Sequence, residues 1–317
     1  MKYIVLVLVF FTGLYAKSLV EPTYIYKISS GLVTDVICNN SKMYASTDNG
    51  NVEIFNIEKR EKVDFIQLPK IHDFMGDEVG SKVFSLDMIK NTLLILSQES
   101  GGYGRIHLYK DGKLQKIVSQ DDRLNIIKAK FIDSENILMA LISNDIISYN
   151  IKTKKKNWIT QASMSKFSSF AINNDRSMVA IADESGDVHV LSTKDGHNIK
   201  TLSGQNVDNI FTIDFKTNVV LTGGQDRRAG IYNLKSGSGY YKSSKFFVYG
   251  VGLSPSGKIG AYSSDMNNNV TLFNIATEDN IAKFASDKMI VNGIYFINEK
   301  EFFINSSSNS IRYFKTK

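Results

Sequence analysis

The sequence predicts an all-β chain of seven repeated four-stranded units closed into a ring. Three observations predict it. A short strand ending in a bulky residue recurs seven times at a near-constant interval. Each recurrence follows the same order of strand, polar turn, strand and Gly/Asn/Asp-rich turn. The last unit is one strand short, while a spare strand lies near the start of the chain.

The recurring strand is Asn51-Val52-Glu53-Ile54-Phe55-Asn56 in the first unit and Asn269-Val270-Thr271-Leu272-Phe273-Asn274 in the sixth. Its closing bulky residues are Phe55, Tyr109, Tyr149, Leu191, Tyr232, Phe273 and Phe314, at steps of 54, 40, 42, 41, 41 and 41 residues. Upstream, the sixth unit shows an apolar strand over 247–253, the turn 254–258, a second strand over 259–263 and the turn 265–269. Gly223-Gly224-Gln225-Asp226 is the matching second turn of the fifth unit. Gly, Asn and Asp suit such hairpins because they accept left-handed backbone or bond back to it. A third turn follows the bulky residue, as in Lys110-Asp111-Gly112-Lys113 or 193–196, and leads to a fourth strand such as 114–118 or 199–202. Four strands in about 41 residues make one blade of a β-propeller.

These residues resemble the WD40 repeat family over about 23–317. The Trp-Asp pair of that family is replaced by Phe55-Asn56, Tyr149-Asn150, Tyr232-Asn233 and Phe273-Asn274. The resemblance implies seven blades, with a large side chain filling the space between neighbours. The Gly-His pair of the family is missing, so the hydrogen-bond network that often knits such blades is not implied.

The seventh unit has strands near 291–297, 301–305 and 311–315 and lacks a fourth. The segment 23–28 is a strand with no blade of its own, and pairing it there closes the ring and hides an exposed edge.

The one irregular step, 54 residues, is about 13 longer than the period. The excess lies in 69–82, which joins the first unit to the second, and in 98–104, between the middle strands of the second. Both connections leave a propeller on one face, and insertions in repeats commonly map to a binding face. Asp73, Phe74, Asp77 and Glu78 in the first loop and Tyr103 in the second are therefore the candidate partner-binding residues. A tolerated surface insertion is the alternative.

Composition and the N-terminus bound the setting. Lys2 followed by the apolar run 4–14 and Ala16 is the pattern of a secretory signal peptide over 1–16. Cleavage there would leave a single propeller domain, 17–317, expected in the periplasm; an uncleaved N-terminal anchor is the alternative. The formal charge of +6 is spread along 317 residues, so nucleic acid is not expected as a partner. One cysteine, Cys38, can form no internal disulfide and reads as a buried small residue.

No catalytic, cofactor or metal residue can be named from motifs. His72, His107, His189 and His197 have no metal-ligand spacing, though His107 and His189 fall at the same strand position of two units. Asp121-Asp122 lies in a turn, and Asp226-Arg227-Arg228 places a turn-capping Asp. The basic turn of Lys152, Lys154, Lys155 and Lys156 is a second candidate surface, for an acidic partner or transient membrane contact.

The expected function is a non-enzymatic, monomeric platform for protein partners. The export signal, the degenerate repeats and the Asn/Lys-rich, Cys-poor sequence resemble the accessory propellers encoded with periplasmic nitrate reductase. That resemblance implies partners from the nitrate reductase system and no cofactor. The alternatives are a lactonase-like or metal-centred propeller enzyme and an outer-membrane assembly scaffold. A single Trp argues against a quinoprotein dehydrogenase, and the lack of Cys-x-x-Cys-His argues against c-type haem.

Overall fold

The computed structural model describes residues 19–316; the 1–16 leader expectation lies outside them. Seven four-stranded antiparallel sheets form a seven-bladed β-propeller. Blade 1 runs from the axis outward as Val33–Asn39, Lys42–Thr47, Asn51–Asn56 and Glu61–Gln67. Blades 2 to 6 span 83–118, 126–161, 167–202, 210–243 and 251–284 in the same order.

Blade 7 takes Val291–Phe296, Glu301–Ser306 and Ser310–Lys315 from the end of the chain and Tyr24–Lys27 from its start. The register pairs Tyr24 with Tyr313 and Lys27 with Ser310, so the edge of the last strand is covered as expected. Before that, Val20 bridges Phe284 on the outer strand of blade 6.

The seven bulky positions are structurally equivalent. Each pairs with the second residue of its neighbouring strand: Met43 with Phe55, Leu93 with Tyr109, Ile137 with Tyr149, Val179 with Leu191, Val220 with Tyr232, Gly260 with Phe273, Phe302 with Phe314. The core is divided the same way, into seven apolar clusters, one at each junction between blades. Phe314 stacks on Phe302 at 5.2 Å and 16°, and both meet Phe284 of blade 6 edge-on. A bulky residue per period is thus what one sheet needs to pack on the next.

Two local features shape the axis. In six blades the innermost pair of strands slips register at the same place, leaving Thr34, Phe84, Ile127, Ser168, Phe211 and Asn292 as extra residues. Such bulges re-aim a side chain, and all six line one mouth of the axial channel. Blade 6 differs from expectation, because its inner strand is only Val251–Leu253. The Ser263 hydroxyl takes the Tyr249 and Gly250 N–H groups at 3.0 and 3.3 Å, so these two amides leave the ladder, while the Gly250 carbonyl still accepts from the Ser263 amide at 2.9 Å.

Candidate functional site

Because each blade is an antiparallel meander, its second-to-third turn and its link to the next blade leave on one face. The two expected loops meet there. Residues 69–82 form a small hairpin, with Ile71–His72 paired to Glu78–Val79. Residues 98–104 enclose a 3-10 turn, Ser100–Gly102. The Ser100 hydroxyl donates to the His72 carbonyl at 2.8 Å. Beneath them the buried Arg105 donates to the Pro69 carbonyl at 2.6 Å and lies 3.6 Å from the Glu99 carboxylate. The guanidinium therefore fixes the base of the hairpin to blade 2.

The candidate residues divide by role. Asp73 is half-buried and caps the hairpin tip, with Oδ1 accepting from the Met75 and Asp77 amides at 2.9 and 3.0 Å. Gly76, at φ +90°, completes that turn, which is why the tip needs glycine. Phe74 is 96% exposed and Met75 72%, so the loop presents two apolar side chains rather than one. Asp77 and Glu78 are exposed, the latter 3.1 Å from Lys70. Tyr103 is half-buried beside Gly101, and its carbonyl accepts from the Glu99 amide at 2.8 Å. The glycines Gly101 and Gly102, not the Tyr103 ring, form that tip.

The apolar character extends across the whole face. Among the described residues, 16 large hydrophobic side chains are exposed. Nine of them sit in the loops of this face: Leu32, Phe74, Met75, Ile142, Met164, Val207, Met266, Met289 and Ile290. None sits in a turn of the opposite face; the rest lie on outer strands or, for Leu19, at the first described residue. An exposed apolar set confined to one face marks an interaction surface better than scattered residues do.

On this face the links between blades are latched by buried polar groups. In blade 5 the Asn206 amide donates to Asp226 at 3.0 Å and accepts from the Thr222 hydroxyl, while Asp226 also takes the Val207 amide at 2.9 Å. The expected turn cap at Asp226 is present as well, on the Arg228 amide at 3.1 Å. In blade 7 Asp287 gathers Ser306, Ser308 and Arg312. In blade 1 the buried Glu53 takes the Ser29 and Ser30 amides, each at 2.9 Å. In blade 4 Ser163 donates to Asp183, with His189 3.6 Å away. Burial would raise the Asp183 carboxyl, but the nearby His189 ring and hydrogen bonds from Ser163 and Ser185 outweigh it and hold it well below the usual range. A blade-knitting network therefore exists without the Gly-His pair, built from different residues in each blade.

The other sequence candidates find structural places. His107 is buried, and desolvation, with Arg105 and Lys116 nearby, pushes it down to about 4. Asp121 and Asp122 sit in a 3-10 turn closed by a capping box with Ser119. Lys152 pairs with Glu135, and the Lys154 to Lys156 run is exposed on the opposite face. Cys38 is half-buried in the channel wall rather than fully buried, and burial pushes its thiol up, against a nucleophilic role. Among the described residues no three His, Cys, Asp or Glu side chains converge as a metal site.

The axial channel holds a cavity of about 430 Å3 whose wall carries cross-blade ion pairs. Arg176 of blade 4 reaches past blade 3 to Asp87 of blade 2, with contacts of 2.7 and 3.1 Å. Asp35, Asp87 and Asp214 each also accept the backbone amide of the next blade, from Leu86, Phe131 and Leu253. A search of protein families and of curated proteins finds no match to this chain.

Proposed function

We propose that the protein is an exported interaction platform of the WD40 type that docks a protein partner on the face carrying Phe74 and Met75. The observation that carries this reading is the confinement to that face of the large exposed hydrophobic side chains borne by loops between strands. Four of the nine are methionines, whose flexible thioethers adapt to irregular partner surfaces. The hairpin at 69–82 adds a protruding anchor held rigidly by Arg105. The WD40 assignment is supported by the repeated bulky position and by the polar latches between blades.

The partner we propose is a component of periplasmic nitrate reductase, because the chain resembles NapL, an accessory propeller of that system, in length, N-terminal pattern and repeat type. The role is then assembly or electron supply of the reductase, with no chemistry on the propeller itself. Deleting the gene should impair nitrate-dependent growth, and affinity-tagged protein should co-purify the reductase. Normal growth together with absence of the reductase from the purified fraction would remove the nitrate assignment, while leaving the docking face to be tested separately.

A further inference from the structure

We propose that the axial channel binds a small oxyanion, a carboxylate or phosphate group, on the Lys128 ammonium and the Ser169 hydroxyl. The channel wall holds four cations, Lys128, Lys130, Arg176 and Lys216, and three carboxylates, Asp35, Asp87 and Asp214. The carboxylates are all committed. Asp35 faces Lys130 at 3.8 Å, Asp87 holds Arg176 at 2.7 Å and Asp214 holds Lys216 at 3.1 Å. Each is also fixed by a backbone amide of the next blade, so none can swing across the axis. Lys128 is the surplus cation.

Its ammonium has three N–H donors. One goes to Ser169 Oγ at 2.9 Å, and among the described residues the others have no acceptor. The face of Phe170 lies 5.5 Å away, a weaker neutralising contact. Lys128 is half-buried in this wall; an ammonium partly withdrawn from water without a counter-ion carries a cost that a bound anion removes. Burial, reinforced by Lys130 and only partly offset by Asp35 and Asp214, pushes Lys128 down to about 8, which agrees with an unmet charge.

Space and access fit a small ligand. The cavity of about 430 Å3 adjoins a mouth of about 530 Å3, and Lys128 lines both. The mouth adds another cation, Lys82, and no carboxylate besides Asp35. Above Lys128 the half-buried rings of Phe84, Phe211 and Tyr249 line the mouth, the last two stacked at 5.1 Å. These rings offer a flat apolar seat to the body of an organic carboxylate.

The test is calorimetric titration of the purified protein at low ionic strength with inorganic phosphate, sodium acetate and sodium benzoate. Saturable one-to-one binding of phosphate or of a carboxylate is expected. Benzoate stronger than acetate assigns the organic source; phosphate stronger than both assigns the phosphate source. Lys128→Met should weaken binding about tenfold or more, and Lys128→Arg should keep it within about threefold. Affinity should fall between about pH 7 and about pH 9.5 as the ammonium loses its proton. No saturable binding of any of the three by about 10 mM overturns the proposal, as does equal binding by a folded Lys128→Met protein. Should that variant fail to fold, an unchanged affinity of the parent protein across the same pH range overturns it.

Discussion

The Tyr26 ring packs edge-on against Phe303, with centroids 5.9 Å apart at 73°. It meets Phe55 the same way at 5.5 Å, and its hydroxyl donates to the Ile57 carbonyl at 3.0 Å. One side chain from the start of the chain thus joins blade 7 to blade 1.

Ring closure should therefore be sensitive to that residue. Tyr26 is 1% exposed, so Tyr26→Ala should destabilise the protein by about 3–5 kcal/mol through the cavity it leaves. Tyr26→Phe keeps the ring and should cost only about 1 kcal/mol for the lost hydrogen bond. Urea unfolding of both variants measures the difference. Equal stability of Tyr26→Ala and the parent would mean that closure does not depend on this strand.

Glu53 should matter to the same junction from the other side. Its carboxylate takes two backbone amides and the Ser29 hydroxyl and lies 3.2 Å from Lys62. Burial alone would raise its pKa, yet hydrogen bonds from Ser30, Ser29 and Lys62 lower it on balance. The unfolded chain therefore takes up this proton at higher pH than the folded one. The stabilisation is present above the ordinary Glu value and is lost as pH falls through the lowered folded value. Glu53→Ala, which orphans the Ser29 and Ser30 amides, should cost about 2–3 kcal/mol at neutral pH and less in acid. Unfolding curves at several pH values check both statements.

His107 gives a second, separable pH effect. Its folded pKa of about 4 lies below the ordinary histidine value, so the unfolded chain protonates first as pH falls. The contribution is complete above about pH 6.5 and declines toward about pH 4, by roughly 3 kcal/mol. His107→Gln should flatten the stability profile across that window. A profile as steep as the parent's would place the titration on other groups.

Packing at the repeated bulky position can be probed at Gly260. A Cβ there would lie 2.5 Å from the Phe273 ring, so Gly260→Ala should cost about 1–3 kcal/mol. Phe273→Leu shortens the opposing side chain, and the double variant should be more stable than the sum of the two losses predicts. Strict additivity in the double-mutant cycle would show that the two positions do not press on each other.

The blades and their closure were legible in the sequence because they repeat, and a period survives the drift of individual residues. The loop pair was legible because it breaks that period. The aromatic run at Phe247 and Tyr249 read as a strand, but the Ser263 hydroxyl, 14 residues from Tyr249, takes the Tyr249 amide and the Gly224 carbonyl of blade 5 takes the Val248 amide. Tyr103 is a candidate by its place in the second loop, whereas Gly101 and Gly102 make the turn and the half-buried ring packs beside Gly101. Met75 was overlooked beside Phe74. The latches were hidden because Glu53, Asn206 and Asp287 do the same job with different chemistry. The channel charges were hidden too: Asp87 and Arg176 are 89 residues apart, and the period alone does not say which side chains face the axis.

The central claim is that one face docks the partner, and photo-crosslinking in cells tests it most directly. A photoreactive amino acid is placed at Phe74 and Met164 on the apolar face, and at Glu135 and Lys258 on the opposite one. Partner adducts from the first pair and none from the second are the predicted result. Adducts from Glu135 or Lys258, with none from Phe74 and Met164, would contradict it.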